Sequence, residues 1–183
     1  MIYEPAEDSF LMSRILKENI PNLLNKNPDL KFLEIGTGSG IHLETAKSLG
    51  IKLENIFSSD IDKKSVLHCR SLGFNCIHSD LFDKIPKIKF DLIIFNPPYL
   101  PEDSREPKSS RLATTGGKKG NEIILLFLKQ AKNYLNKNGK IFLITSSLAK
   151  DVDFKKLNYK AKEIGFEKLF FEKLFIWELK IIV

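Results

Sequence analysis

The sequence of 183 residues is poor in arginine, cysteine and tryptophan. Its two cysteines, Cys69 and Cys76, lack the paired spacing of a zinc site, which predicts buried free thiols and no metal centre. No stretch approaches the roughly 18 apolar residues of a membrane span. The first residues have neither the basic region nor the apolar core of an export signal, so we expect a cytoplasmic protein.

Basic residues outnumber acidic residues by 29 to 23, which gives a net charge of +6. Nearly all of them are lysines scattered along the chain. Arginine, the side chain best suited to reading bases and phosphates, occurs only at positions 14, 70, 105 and 111. The charge therefore favours solvated helix faces, and nucleic acid is not the expected partner.

Apolar segments alternate with amphipathic segments, which is typical of a parallel sheet covered by helices on both faces. Strands are predicted at residues 31–35, 55–59, 74–78, 91–95, 140–145, 166–171 and 175–183. Helices are predicted at residues 6–17, 41–49, 63–72, 122–135 and 152–164. The last two strands have no helix between them and should form an antiparallel hairpin turning at 172–174. The prediction is one α/β domain over residues 1–183, with an N-terminal helical segment over 1–20 and a seven-stranded Rossmann-like sheet.

A glycine-rich sequence, Gly36-Thr37-Gly38-Ser39-Gly40, follows the first predicted strand. Glycines allow a tight turn and let the backbone approach a ligand closely. In a dinucleotide enzyme such a loop would cradle pyrophosphate, but Glu34 lies two residues before the first glycine. A carboxylate there suits a ligand with cationic charge and no phosphate, such as S-adenosylmethionine with its ammonium and sulfonium groups.

Polar side chains close the next three predicted strands. Asp60 ends the second strand, where a carboxylate can bind both ribose hydroxyls. After the third strand, Asp80 can accept from an adenine amino group and Leu81 can pack on the ring. Asn96 follows the fourth strand. Because neighbouring parallel strands end at the crevice where open α/β sheets bind ligands, these residues predict one cofactor site.

The fourth strand stops on Asn96-Pro97-Pro98-Tyr99, called the hook below, in which neither proline has an N–H to continue the strand ladder. The Asn96 side-chain carbonyl and the Pro97 backbone carbonyl can both accept hydrogen bonds from one NH2 group. The ring of Tyr99 can cover a flat substrate. The hook therefore predicts chemistry on a planar amide or aromatic amine, with Asn96, Pro97 and Tyr99 catalytic and all four residues, Pro98 included, in contact with substrate.

Residues 100–120 form the longest predicted connection and show no periodicity. They begin at the hook and end in Gly116-Gly117-Lys118-Lys119-Gly120, just before a helix. Loops of this length in compact domains are commonly functional. We therefore expect a substrate loop that gates the site.

These motifs resemble the HemK-like protein-(glutamine-N5) methyltransferases across almost the entire chain, and most closely the short archaeal and eukaryotic branch. The sequence Tyr3-Glu4-Pro5-Ala6-Glu7-Asp8-Ser9 resembles the family's N-terminal signature, in which a hydroxyl residue helps to bind the cofactor. The resemblance implies a class I methyltransferase fold that binds S-adenosylmethionine. The predicted cofactor-binding residues are Ser9, Glu34, Gly36, Gly38, Asp60, Asp80, Leu81 and Asn96.

The resemblance also implies a substrate and a partner. The substrate is the glutamine of the Gly-Gly-Gln tip of a class I translation termination factor, also called a release factor. The partner is a small zinc-binding activator protein that pairs with the sheet edge, expected at strand 74–78. There Phe74, Cys76 and Ile77 would form an unpaired apolar edge.

Three other functions compete with glutamine methylation. The hook also accepts an adenine amino group, so N6-adenine methylation of DNA or RNA is an alternative, although no residues are left for a target-recognition module. Lysine methylation requires loss of a proton first, and the sequence indicates no base beside the hook. A cofactor-binding protein without turnover is the third alternative.

Overall fold

A computed structural model of the protein describes residues 4–182. Within that range seven strands form one sheet, in the order β3-β2-β1-β4-β5-β7-β6. The strands are β1 Phe32–Ile35, β2 Ile56–Asp60, β3 Asn75–His78, β4 Phe90–Phe95, β5 Leu135–Ser146, β6 Tyr159–Lys168 and β7 Lys173–Ile181. The helices are α1 Glu7–Lys26, α2 Ile41–Ser48, α3 Lys63–Ser71, α4 Lys108–Thr114 and α5 Glu122–Ala131. Tyr3 of the predicted N-terminal signature and Val183 of the last predicted strand lie outside the described residues.

Strands β1 to β5 are parallel, and β1 lies between β2 and β4. Glu34 of β1 is in register with Ser58 of β2 and Ile94 of β4. The carboxyl ends of β1, β2 and β4 therefore lie together on the same side of the sheet. The glycine loop, Asp60 and the hook follow these ends, as the sequence predicted.

Successive side chains of a strand point to opposite faces, and the sheet accordingly has two apolar layers. On the first face Phe32 packs in a cluster with residues of α1, α2 and α3. On the second face Leu33 packs with Phe127 and other residues of α5. Since all four β1 side chains are buried, the strand reads as a continuous apolar run apart from Glu34.

The end strands β6 and β7 confirm the predicted antiparallel hairpin, which closes at residues 169–172 rather than 172–174. In this turn Leu169 N–H donates to the Glu172 carbonyl at 2.8 Å. The predicted helix at 152–164 is wrong, because β6 already begins at Tyr159. Lysine, alanine and glutamate favour helix locally, but β6 pairs with β7 along its whole length, and tertiary pairing overrides weak local propensity.

Strand β3 is the sheet edge, as predicted, but its side chains differ from the expected apolar edge. Phe74 and Cys76 are buried in the first layer, and only Ile77 is half-buried. The Arg70 side chain of α3 covers part of the backbone by donating to the Cys76 carbonyl at 2.8 Å. Both cysteines are free, buried thiols, as expected.

The connection at residues 100–120 is more ordered than predicted, because it contains helix α4. The Glu106 carboxylate accepts hydrogen bonds from the hydroxyls of Ser110, Thr114 and Thr115, which holds the helix against the preceding turn. Leu100 N–H donates to the Thr114 carbonyl at 2.8 Å, so the segment closes on itself next to the hook. Among residues 4–182 no helix is both long and apolar enough to cross a bilayer.

Candidate active site

A cavity of about 350 Å³ lies at the carboxyl ends of β1, β2 and β4, within the size range of small-molecule sites. Its walls are the first turn of α1, the glycine loop, the segment after β3, and helix α4. All residues predicted for cofactor or substrate binding line it, with the exception of Tyr99. Leu112 and Ala113 of α4 also line it, which brings part of the predicted substrate loop to the site.

The glycine loop turns tightly between β1 and α2. Gly36, Gly38 and Gly40 all have positive φ, at 69°, 51° and 82°. A side chain at Gly36 would place its Cβ 3.3 Å from the ring of Phe95, so the loop backbone lies directly on β4. Gly36 and Gly38 line the cavity at the carboxyl end of β1, and this part of the cavity is called the cradle below.

Glu34 and His42 form a buried ion pair beneath this cradle. The Glu34 Oε1 atom lies 2.6 Å from His42 Nδ1, and His42 Nε2 lies 3.0 Å from the Ser9 carbonyl oxygen. The Ser9 carbonyl oxygen only accepts, so His42 Nε2 donates to it; with Glu34 ionised, Nδ1 donates as well and the imidazole is protonated. Burial raises the pKa of Glu34, and the charge and hydrogen bond of His42 act against that rise. Burial acts to lower the pKa of His42, but the charge and hydrogen bond of Glu34 and the Ser9 carbonyl together raise it.

The sequence assigned the Glu34 charge to a cationic ligand, whereas the structure gives Glu34 a partner inside the protein. The side chain is 1% exposed, and Thr37 Oγ1 donates to its second oxygen at 3.3 Å. Much of the Glu34 charge is therefore balanced within the protein. The sequence does not by itself predict this role for His42, because its partners Glu34 and Ser9 lie 8 and 33 residues away on other elements. A polar residue at the first turn of the helix after the glycine loop was the available signal.

Asp60 organises the neighbouring loop. Its Oδ2 atom accepts from Gly38 N–H and its Oδ1 atom from Asp62 N–H, both at 2.8 Å. Burial raises the pKa of Asp60, and the two backbone donors act against that rise. The carboxylate is thus held at the cavity wall at the end of β2.

The segment after β3 carries an unusual backbone conformation. Leu81 has φ of 42°, in the left-handed region that leucine rarely adopts, at a cost of roughly 1–2 kcal/mol. Leu81 is buried against the second layer, and the neighbouring Asp80 is exposed at the cavity. Such local strain is concentrated at functional sites.

The hook holds a buried hydrogen-bond acceptor without a partner. Among the described residues, the buried side-chain oxygen Asn96 Oδ1 accepts no hydrogen bond. The other end of the amide is fixed, because Asn96 Nδ2 donates to Asp8 Oδ2 at 3.0 Å. Tyr99 hydroxyl contacts the same Asp8 oxygen at 3.4 Å. A buried acceptor left open beside a cavity is the arrangement that binds a substrate N–H.

Asp8 is the site residue that sequence reasoning missed. It lies in the first turn of α1, is 6% exposed, and joins Ser9 to the hook. Its partner Asn96 is 88 residues away, so no local pattern could pair them. The sequence indicated no base beside the hook, and the structure places the Asp8 carboxylate there, engaged with Ser9, Asn96 and Tyr99.

The glycines before α5 have a structural reason. A Cβ at Gly116 would lie 2.5 Å from the Pro98 carbonyl oxygen, and one at Gly120 would lie 2.4 Å from the Tyr99 carbonyl oxygen. The loop backbone therefore packs directly on the backbone of the hook. Residues 100–120 support the hook, and gating of the site by this segment stays a prediction.

Comparison with known proteins identifies the relatives of this chain. A Methanocaldococcus jannaschii protein named for N5-glutamine methyltransferase activity is 35% identical over 97% of this chain and 92% of its own length. The chain belongs to the protein N5-glutamine methyltransferase family. The catalytic subunit Mtq2 of the eRF1 methyltransferase of Schizosaccharomyces pombe is 30% identical over 78% of this chain and 71% of its own length.

Two further comparisons agree on the fold. The Mtq2–Trm112 complex of E. cuniculi, responsible for methylating the termination factor eRF1, superimposes with a TM-score of 0.68 at 23% identity, covering 98% of both chains. The family model described as Eco57I restriction-modification methylase matches residues 13–164. The Rossmann-like methyltransferase fold expected from the sequence is confirmed.

S-adenosylmethionine is the cofactor of this methyltransferase, as expected. The residues present fit it. Gly36 and Gly38 line the cavity without side chains, so a ligand can approach the loop backbone closely, and the loop carries no phosphate-binding lysine. The roles of Ser9, Asp60, Asp80 and Leu81 in holding the cofactor stay predictions that the shape of the cavity supports.

Proposed function

We propose that this enzyme transfers a methyl group to the side-chain amide nitrogen of glutamine in the Gly-Gly-Gln tip of a class I release factor. The observation that carries the proposal is Asn96, which lines the cavity and whose buried Oδ1 atom has no hydrogen-bond partner among the described residues. A primary amide presents two N–H donors, and the hook offers two carbonyl acceptors, those of Asn96 and Pro97. The relatives named for glutamine and eRF1 methylation support this choice of acceptor.

The residues of the hook solve the main difficulty of the reaction. An amide nitrogen is a poor nucleophile because its lone pair is delocalised into the carbonyl group. Hydrogen bonds from both N–H groups to Asn96 and Pro97 would hold the nitrogen in place and raise its electron density. Positioning of this kind contributes up to about 7–11 kcal/mol in ideal cases.

The bound S-adenosylmethionine supplies an electrophilic methyl group on a positively charged sulfur. As the N–C bond forms and the bond between the methyl carbon and sulfur breaks, leaving S-adenosylhomocysteine, positive charge would move to the glutamine nitrogen, where the two carbonyl oxygens of the hook can stabilise it. The methylated amide then loses one proton to water, so no side chain has to act as a base. Tyr99, the last residue of the hook, contacts Asp8 through its hydroxyl but does not line the cavity, so closure of the pocket by its ring stays a prediction.

Adenine is the second candidate acceptor, since its exocyclic amino group also presents two N–H donors. The match to a restriction-modification methylase model favours it. The sheet and its covering layers account for most of residues 4–182, which leaves no separate module for recognising a DNA target.

Lysine is a less suitable methyl acceptor, because it must first lose a proton to a base. The Asp8 carboxylate beside the hook already accepts from Ser9, Asn96 and Tyr99.

We propose further that a small zinc-binding activator protein pairs with the edge strand β3. Ile61 and Leu67 lie near this edge with 45% and 64% of their surface exposed. In α3, Leu67 lies three residues before Arg70, whose side chain contacts β3. Leu67 and Arg70 therefore share the face of α3 nearest the edge strand. Pairing at the Cys76 carbonyl would require Arg70 to release it. The Mtq2–Trm112 complex is a precedent for a small partner.

The deciding experiment is methyl transfer from labelled S-adenosylmethionine to a purified class I release factor, with and without the activator. Factors with Gly-Gly-Gln and Gly-Gly-Ala tips are compared, and an oligonucleotide duplex serves as third acceptor. Label on the Gly-Gly-Gln factor alone supports the proposal. Equal label on both tips would move the assignment to lysine, and label on the oligonucleotide alone would move it to adenine.

A further inference from the structure

We propose that Asp8 is a positioning residue that decides which end of the Asn96 amide faces the cavity. The inference rests on the proposed function, because it concerns how the acceptor for the glutamine amide is presented. The two ends of an asparagine amide have nearly the same size and shape. Packing alone therefore does not determine whether a carbonyl oxygen or an NH2 group points at the substrate.

The contact with Asp8 removes this ambiguity. Asn96 Nδ2 donates to Asp8 Oδ2 at 3.0 Å, and an ionised carboxylate can only accept. With the amide reversed, two oxygens would face each other at that distance. The carboxylate therefore holds the NH2 end, and the opposite end, Oδ1, is a buried acceptor without a partner among residues 4–182, in a side chain that lines the cavity.

Asp8 is itself prevented from turning. Its Oδ1 atom accepts from Ser9 N–H at 2.6 Å and contacts the Ser9 hydroxyl at 3.3 Å. Its Oδ2 atom contacts Tyr99 hydroxyl at 3.4 Å in addition to Asn96. Both oxygens of this buried carboxylate thus have hydrogen-bond partners. The position of α1 therefore fixes the orientation of the Asn96 amide.

The orientation matters for the chemistry. With Oδ1 toward the cavity, Asn96 accepts a hydrogen bond from the substrate nitrogen and stabilises the charge that develops there. With the NH2 end toward the cavity, it would present a donor to a group that has only donors. Asp8 thus acts on the reaction through Asn96, without touching the substrate nitrogen.

The test is the nearly isosteric substitution Asp8→Asn. The new NH2 group can donate to Asn96 Oδ1, which turns the Asn96 amide and leaves its NH2 end at the cavity. At saturating cofactor the methyl-transfer rate should fall by about 100-fold or more, the scale for losing one preorganised contact. Glu7→Gln is the matched control, because it neutralises the neighbouring exposed carboxylate, and it should leave the rate unchanged within twofold.

A double-mutant cycle separates positioning from a general structural role. In an Asn96→Ala background, Asp8→Asn should change the residual rate by less than about twofold, since no amide remains to orient. If the two losses multiply, or if Asp8→Asn alone transfers methyl at the wild-type rate, the inference is wrong.

A readout that needs no activity is the ¹⁵N-resolved side-chain NH2 resonance of Asn96, assigned by its disappearance in Asn96→Ala. In the wild type these protons should exchange with solvent slowly, and in Asp8→Asn the resonance should shift. Fast exchange in the wild type would overturn the inference even if the variant fails to fold. A protected resonance in an enzyme that does not label glutamine would reject the proposed function and leave the role of Asp8 standing.

Discussion

Two buried polar clusters lie side by side at the carboxyl edge of the sheet, and they differ in how their hydrogen bonds are used. Around Glu34 and His42 the carboxylate oxygens and ring nitrogens find partners within the protein. Around Asn96 the amide nitrogen is bound and the amide oxygen, among the described residues, is not. A satisfied cluster stabilises the fold, whereas an open buried acceptor costs stability that a ligand can recover by donating to it.

Both clusters have a partner in the first turn of α1. The Ser9 carbonyl oxygen accepts from His42, and the adjacent Asp8 carboxylate accepts from Asn96. This turn therefore contacts both α2, which follows the glycine loop, and the hook. We therefore expect substitutions in the Glu34–His42 cluster to lower the stability of the fold, and substitutions at Asn96 to lower the methyl-transfer rate.

The largest expected effect is on catalysis. Asn96→Ala removes the open acceptor, and the methyl-transfer rate should fall by about a thousandfold, since a single preorganised contact contributes about 10²–10³ and positioning of the amide is lost as well. Affinity for S-adenosylhomocysteine, measured by calorimetry, should change by less than about threefold, because the cradle and Asp60 remain in place. An Asn96→Ala enzyme with full activity would contradict the mechanism.

The next effect is on stability. His42→Leu leaves the Glu34 carboxylate buried without its cation and should lower the free energy of unfolding by about 3–5 kcal/mol. Denaturant unfolding measures it. In the matched double variant Glu34→Gln, His42→Leu no charge is buried, and much of the loss should be recovered. A double variant no more stable than His42→Leu would show that the ion pair is not the cause.

A smaller effect is expected on cofactor affinity. Asp60→Ala removes a charged acceptor from the cavity wall and should weaken S-adenosylhomocysteine binding by about 10- to 100-fold, the range of one charge-assisted hydrogen bond. Asp62→Asn is the control, because it removes a nearby charge and keeps the helix cap on Lys64 N–H. Equal weakening in both variants would indicate a general charge effect rather than a specific contact.

The smallest effect is a dependence of stability on pH. Because the pKa of His42 is raised above its ordinary value of 6.5, the folded protein binds a proton more tightly than the unfolded chain. This contribution is complete below pH 6.5 and is lost as the pH rises through the higher folded pKa. The stability advantage of wild type over the double variant Glu34→Gln, His42→Leu, which has neither titrating group, should therefore decline from neutral to alkaline pH. An advantage that grows over that range would exclude a protonated His42.

The sequence predicted the parts of the molecule that depend on local pattern. The strand ends before Gly36, Asp60 and Asn96 follow from apolar runs that stop at turn residues. The parallel sheet then brings these residues to one edge. Gly116 and Gly120 form a recognisable motif in the sequence, but only the tertiary structure shows that they pack on the hook.

What the sequence could not predict depends on distant partners. The β6 sequence favours helix, and only pairing with β7 makes it a strand. Asp8 and His42 look like ordinary helix residues until α1 docks against the sheet. Phe74 and Cys76 were assigned to an open edge because strand alternation alone does not show which face a helix covers.

The central claim is that the open acceptor performs the chemistry while the closed cluster holds the fold. Its most direct test is the single-turnover methyl-transfer rate per folded, cofactor-saturated enzyme, measured side by side for Asn96→Ala and His42→Leu. The account predicts a rate lowered by about a thousandfold in Asn96→Ala and by less than tenfold in His42→Leu. Equal losses of rate per folded enzyme in the two variants would contradict it.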